Sequence, residues 1–226
     1  MNILAIDTAS VAASVAIVEN GRLLCELFSD TGLTHSQTIM PMIDRALAMA
    51  GKPLSAMDRL AVTIGPGSFT GLRIGIGTVK GLAMGADLPV VGVSTLKTIA
   101  YNALPTPYLI APIMDARRNQ VYNALYRGEG LEEIVPPRAL GIDDLVRELQ
   151  EPTVFVGDGV APHRAYLIEA MGENALFVPQ ARLLTRASAC AALAETMPAC
   201  DAGALAPSYI RLSQAEREYN EKNQKG

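Results

Sequence analysis

Asp7 and Asp115 are the residues of this chain best placed, by type and context, to do chemistry. Each ends an apolar run, Asn2–Asp7 and Leu109–Asp115, and each is followed by a turn: Thr8-Ala9-Ser10 in the first case, Ala116-Arg117-Arg118-Asn119 in the second. A carboxylate there can reach a phosphate-bound metal, and paired guanidinium groups can grip a phosphate. The same residues equally serve to close or solvate a turn. The third candidate is the run Gly65-Pro66-Gly67-Ser68-Phe69-Thr70-Gly71-Leu72-Arg73-Ile74-Gly75-Ile76-Gly77. It lies between a strand-like run, Leu60–Ile64, and a helical rhythm over Ile74–Gly85. Such a junction offers backbone N–H groups to an anion or lets another backbone come close. It is not a Walker loop, because Lys80 is followed by Gly81. Nor is it a dinucleotide fingerprint, because Thr70 and Lys80 stand where a third glycine belongs. The pattern favours packing over phosphate binding.

Other chemistry finds less to rest on. His35 and His163 are the only histidines, have no companion at ligand spacing, and read as capping or surface residues. Cys25, Cys190 and Cys200 are widely spaced and odd in number, which suits a reducing compartment and gives no zinc pair. No Ser/His/Asp set is evident for a protease. A net charge of −4 over 226 residues argues against stand-alone nucleic-acid binding, which depends on neutralising phosphates. The composition, 50% hydrophobic and 19% charged, is that of a globular chain. No apolar run approaches the ~18 residues of a membrane span. Asp7 interrupts the first apolar run and no basic leader precedes it, so a cytoplasmic protein is expected.

The elements that must position these residues are written twice. Asn2–Asp7, Val11–Glu19 and Arg22–Phe28 read as strands, the last two joined by the hairpin turn Asn20-Gly21. Leu109–Asp115, Val121–Arg127 and Leu131–Val135 repeat the order, with Gly128-Glu129-Gly130 as the turn. Asp7 and Asp115 occupy equivalent places. A helix over Thr34–Ala50 follows the first unit, with Thr34 and Gln37 as a capping box and Ile39, Ile43, Ala46, Leu47 and Ala50 as its core face. Thr153–Val156 is a further strand ending in Gly157-Asp158-Gly159, and helices follow at Pro162–Met171 and Ala187–Met197. The expected class is α/β with duplicated halves, 1–103 and a smaller 104–226, divided near Pro105 and Pro107.

A duplicated strand–Asp-turn–hairpin unit resembles the actin/Hsp70/sugar-kinase fold, in which two ribonuclease-H-like halves flank a cleft. Ile3-Leu4-Ala5-Ile6-Asp7-Thr8-Ala9, Thr34-His35-Ser36, the Gly65–Gly75 run and Pro207-Ser208-Tyr209-Ile210-Arg211, followed by Ala215-Glu216, are similar to the TsaB (YeaZ) family. The resemblance implies a part in making N6-threonylcarbamoyladenosine beside the tRNA anticodon. It implies a TsaD paralogue that performs the transfer, a TsaE-type ATPase, and a non-catalytic role for this chain. TsaD-like proteins carry two metal-binding histidines where this chain has Thr95 and Ile99, and a Gly-Gly-Val element whose nearest match here is Gly157-Asp158-Gly159. An alkyl chain and a hydroxyl cannot replace two imidazoles on a metal.

The helices Thr34–Ala50 and Leu72–Gly85 are the expected partner surface, through Ile39, Met42, Ile43, Ala46, Met49, Arg73, Ile74, Gly77, Lys80, Gly81 and Met84. Gly77, Gly81 and Gly85 share one helical stripe, and methionines adapt to partners. The family resemblance points to the same helices, binding TsaD or, without it, a second copy. No tightly bound cofactor is expected. Asp7, Thr8, Gly65, Gly67 and Asp115 mark a weak or partner-completed ATP/ADP site, and tRNA is reached through the complex. The alternative is an independent ATP-using small-molecule kinase or carbamoyltransferase of the same fold.

Overall fold

A computed structural model of the protein describes residues 1–128 and 130–211. The first half contains β1 (Asn2–Asp7), β2 (Ala13–Glu19), β3 (Arg22–Ser29), α1 (His35–Ala50), β4 (Arg59–Gly65), α2 (Phe69–Ala86), β5 (Val90–Ser94) and α3 (Thr95–Tyr101). The second contains β6 (Leu109–Asp115), β7 (Gln120–Arg127), β8 (Glu132–Gly141), α4 (Ile142–Glu148), β9 (Thr153–Val156), α5 (Val160–Met171), β10 (Ala175–Phe177) and α6 (Ala187–Ala194). The strand orders are β3-β2-β1-β4-β5 and, in the same sense, β8-β7-β6-β9-β10. In each sheet the first strand runs antiparallel to its hairpin neighbour and parallel to the crossover strand. This is the duplicated ribonuclease-H-like arrangement of the actin-like fold, and in the second copy the crossover-side strands β9 and β10 are shorter than their counterparts β4 and β5.

Local chemistry explains most boundaries. Asn20 and Gly21 both take positive φ, 49° and 76°, which matches the hairpin twist. Helix α1 starts and stops as expected, but the capping box does not form. The Thr34 side chain makes no cap bond, and its carbonyl accepts from Gln37 N at 2.9 Å. Helix α2 begins at Phe69, earlier than its apolar rhythm suggested, because Ser68 Oγ accepts from Gly71 N and caps it. Helices α3 and α4, of seven residues each, were not anticipated; α3 is capped by Ser94.

Each sheet is covered on both faces, and the covering helices are exchanged. Helices α1 and α2 pack on one face of the first sheet, with Ile39, Ile43, Ile76 and Val79 against Leu4, Ile6, Leu60 and Val62. Its other face is covered by α6, through Ala187, Cys190, Ala191 and Ala194. Conversely, α3 leaves the first half and packs Leu96, Ile99 and Ala100 on Ile110, Met114 and Tyr126 of the second sheet. The second half, expected over 104–226, therefore gives α6 to the first sheet. Alanines suit that position because both flanking strands are small-residue rich and the backbones can approach. The expected charged tail from Gln214 and the Ala215-Glu216 element lie outside the described residues, as does Glu129 of the second hairpin turn.

Cys25 and Cys190 are buried, Cys200 is exposed, and burial holds the Cys190 thiol well above its usual range. A thiol reagent at pH 8 is expected to modify Cys200 promptly and the other two only on unfolding, since the thiolate is the reactive form. Timed mass spectrometry of the labelled protein measures this directly.

Candidate functional site

A cleft of about 710 Å³ opens where the two sheets present the carboxyl ends of β1 and β6. Its walls come from the turn after β1, the Gly65–Thr70 junction, the turn after β6, Asp158 and residues 208–211. Asp7 and Asp115 do hold equivalent places, one at the end of each central strand, but their surroundings differ.

Asp7 is fully buried. Its Oδ1 accepts from Thr63 Oγ1 and from Ala9 N at 3.3 Å, while Oδ2 has no partner. Burial pushes its carboxyl up to about 6, against the bonds from Thr63 and Ala9 and with help from the Asp158 charge. Thr8 Oγ1 donates to Gly71 O at 2.8 Å. The glycines explain this closeness. A Cβ at Gly67, Gly71 or Gly75 would fall under 3.0 Å from Ala9 O, Thr8 O or Thr8 Oγ1 respectively. The glycine run is thus a bearing on which the β1 turn rests. Ser68 N is also spent, donating to Ala9 O at 2.7 Å. Gly157 leans in the same way on Ile113 O of β6, where a Cβ would also fall under 3.0 Å.

Asp115 is exposed, and its Oδ1 accepts from Arg117 N at 2.7 Å, which closes the turn. Arg117, Arg118 and Asn119 all take positive φ (62°, 53° and 59°), a costly run for residues with a Cβ. Asp158 Oδ1 accepts from Asp115 N at 3.1 Å, and burial pushes Asp158 up to about 6. Asp158 was missed as a site residue because Gly157-Asp158-Gly159 was weighed only against a Gly-Gly-Val pattern. Its place after β9, facing Asp115, was the available signal.

The junction glycines and the β1 turn hold one another, while Asp115 and Asp158 line the cleft and Asp7 is fully buried. Among the described residues no three His, Cys, Asp or Glu side chains are grouped for a metal ion. Thr95 Oγ1 accepts from Gly65 N at 3.1 Å and Ile99 is core, so both positions compared with TsaD histidines serve the fold. The histidine expectations need correction. His35 is half-buried, lines the cleft and bonds Ser10 O through Nε2 at 2.8 Å; His163 is buried within α5.

The expected partner residues separate into two sets. Ile39, Ile43 and Ala46 are buried in the first-half core, so they are corrected to core residues; helical periodicity cannot tell a stripe on the own sheet from one on a partner. Met42 and Ile74 are partly buried against that core. Met49 and Met84 are exposed, at 60% and 76%. Gly77 and Gly81 are exposed with nothing within 4 Å of a Cβ, and the same holds for Gly85. Arg73 is exposed but engaged with Phe69 and Tyr209, and Lys80 donates to Gly203 O at 3.3 Å. Helix α2 therefore carries two glycine stripes, one bearing on the β1 turn and one facing outward.

The comparisons with known proteins agree with this arrangement. The family described as "TsaD: tRNA N6-adenosine threonylcarbamoyltransferase" matches residues 29–219. The tRNA threonylcarbamoyladenosine biosynthesis protein TsaB of Bacillus subtilis (strain 168) is 33% identical over 226 residues, 98% of this chain and 99% of that protein. The chain belongs to the TsaB family. The TsaB protein of Escherichia coli (strain K12) is 40% identical over 171 residues, 70% of this chain and 72% of that one. YeaZ from Pseudomonas aeruginosa superposes with a TM-score of 0.76 at 29% identity, covering 92% of this chain and 99% of its own. No helix among the described residues is long and apolar enough to cross a membrane.

The buried acid of this TsaB-family chain carries a pH signature. Asp7 titrates at about 6 in the fold and at 3.8 in a loose chain. Between those values the folded state binds more protons, so stability falls as pH rises from 3.8 to about 6 and stays lower above it. Removing the charge relieves a cost of about 2 kcal/mol, after allowing for the poorly paired amide that replaces it. Asp7→Asn is expected to raise the melting temperature by roughly 4–8 °C at pH 7.5 and to change it little at pH 4.5. Thermal melts at the two pH values check it.

Proposed function

We propose that this chain is the docking and activating subunit of the tRNA threonylcarbamoyladenosine machinery. It binds the TsaD paralogue, and with it the TsaE-type ATPase, without carrying the transfer chemistry itself. The observation that supports this reading is the outward stripe of α2. Gly77, Gly81 and Gly85 stand open at four-residue spacing, beside the exposed Met84 and with Met49 on neighbouring α1. Interior helix glycines cost roughly 0.8–1 kcal/mol each against alanine. Nothing in the described fold fills the space they leave, and close approach by a partner's helix is the use this reading gives them. In the absence of TsaD the stripe pairs with a second copy. Nucleotide affinity of the lone chain is weak, and any ATP or ADP site is completed by the partner. Contact with tRNA runs through the complex, consistent with the net charge of −4.

Light scattering on a sizing column tests the reading, with the protein alone and mixed with a TsaD-type partner. A heterodimer replacing a self-dimer is expected. A well-folded chain that associates with neither, or that turns over ATP alone with micromolar affinity, returns the independent-enzyme alternative.

A further inference from the structure

The chain's last described residues return to the first half and then leave it again. Cys200 and Val90 exchange two backbone hydrogen bonds, 2.8 and 2.9 Å, at the edge of β5. Ala202 and Leu205 enter the first-half core. Ser208 N donates to Ile64 O at 2.7 Å. Gly65 makes room for this, since a Cβ there would lie against the Ser208 carbonyl and its φ is +128°. Tyr209 stacks on Phe69 with ring centroids 4.9 Å apart, and its hydroxyl accepts from Arg73 Nε at 3.2 Å. The Arg73 guanidinium in turn lies 3.9 Å from the Phe69 ring centre. Phe69 and Arg73 are four residues apart on α2, so they share a helix face and form one seat. Two residues further on, Arg211 Nη2 donates to Gln120 Oε1 at 2.6 Å on β7, with its guanidinium 5.6 Å from the Tyr122 ring. Ser208, Tyr209, Ile210 and Arg211 all line the cleft.

We propose that residues 208–211 are a latch that sets the width of the cleft, and that its first-half seat on α2 makes that helix and the cleft opening move together. The exchanged helices α3 and α6 join the halves through apolar packing, which tolerates small sliding and rotation. Arg211 to Gln120 is a directional bond across the mouth, and a guanidinium donor makes it one of the stronger kinds. Tyr209 transmits the position of α2 to it, because Phe69 and Arg73 hold the ring two residues before the bond. The same helix carries the outward glycine stripe, so a partner that shifts α2 shifts the latch. That link to docking rests on the function proposed above; the latch itself does not.

Spin–spin distance measurement on the protein alone tests it. The labels go on Ser55→Cys in the first half and Glu169→Cys in the second, both exposed, with Cys200→Ser to leave no other accessible thiol. The parent is expected to give one narrow distance distribution. Arg211→Ala and Gln120→Ala, which remove the same bond from opposite sides, are each expected to broaden and shift it, with Arg211→Lys between. Arg73→Ala is expected to shift it in the same direction by loosening the Tyr209 seat. Circular dichroism and melting identify any variant that fails to fold. Parent-like distributions in both Arg211→Ala and Gln120→Ala overturn the latch. A shift in those two without one in Arg73→Ala overturns its seat on α2. Partner binding is followed separately on the sizing column, so failure of docking alone removes the docking reading and leaves the distances to decide the latch.

Discussion

Gly71→Ala is expected to lower the melting temperature by roughly 6–12 °C, while Gly77→Ala, further along the same helix, raises it slightly. The residues are chemically identical and both lie inside α2. A methyl at Gly71 would fall under 3.0 Å from the Thr8 carbonyl oxygen, which is backbone and cannot swing aside. Relief requires α2 to lift from the β1 turn. That breaks the bond from Thr8 Oγ1 to Gly71 O and loosens Leu72 and Ile76 in the core. Overpacking of this kind costs about 3 kcal/mol. At Gly77 a methyl meets nothing within 4 Å. Only the helix propensity changes there, favouring alanine by roughly 0.8–1 kcal/mol. Gly75→Ala falls between the two, because its close neighbour is the Thr8 hydroxyl, which can rotate at the expense of its hydrogen bond. Paired thermal melts of the three variants check the order. Equal effects at Gly71 and Gly77 would mean that the two stripes do not differ in environment.

The glycine run shows how far the sequence carries. Its spacing ruled out the two phosphate-loop patterns and favoured packing, and the bearing on Thr8 and Ala9 agrees. The run contains two four-residue series, though, and nothing in residue type says which one faces inward. Only the position of the β1 turn decides that. The duplicated strands were legible because each Asp-ended apolar strand is followed by an alternating strand and a glycine turn. The exchange of α3 and α6 was not legible. Thr95–Tyr101 is too short for a clear helical period, and which sheet a short apolar helix covers is a property of the connection, not of the helix. The same limit assigned Ile39, Ile43 and Ala46 to a partner when they pack on the chain's own sheet. The latch was missed for a related reason. Tyr209 and Arg211 were recognised as part of a family motif, but their seats on Phe69, Arg73 and Gln120 lie 91 to 140 positions back in sequence.

Gly81→Leu is expected to leave the fold intact and weaken association with the TsaD paralogue by roughly 10–100-fold. The first part follows from the structure. Gly81 is exposed, a Cβ there has open space, and leucine is a better helix former than glycine, so melting should hold or rise. The second part follows from the docking reading. A glycine stripe lets another helix approach its backbone, and a four-carbon side chain at the centre of that stripe forces the two apart. Overpacking costs of about 1–3 kcal/mol convert to roughly that range in affinity. Met84→Arg, also fully tolerable in an exposed position, adds a charge that must be desolvated on docking and is expected to weaken binding similarly. The control is Glu169→Arg, an equally exposed change on α5 of the second half, which should leave affinity unchanged. Titration calorimetry with the purified paralogue measures all three. If Gly81→Leu and Met84→Arg bind as the parent does, the outward stripe is not the docking surface. Its glycines would then need another cause. If both lose binding while the control keeps it, the partner sits within backbone reach of α2, close to Lys80 and the segment that Lys80 holds at Gly203.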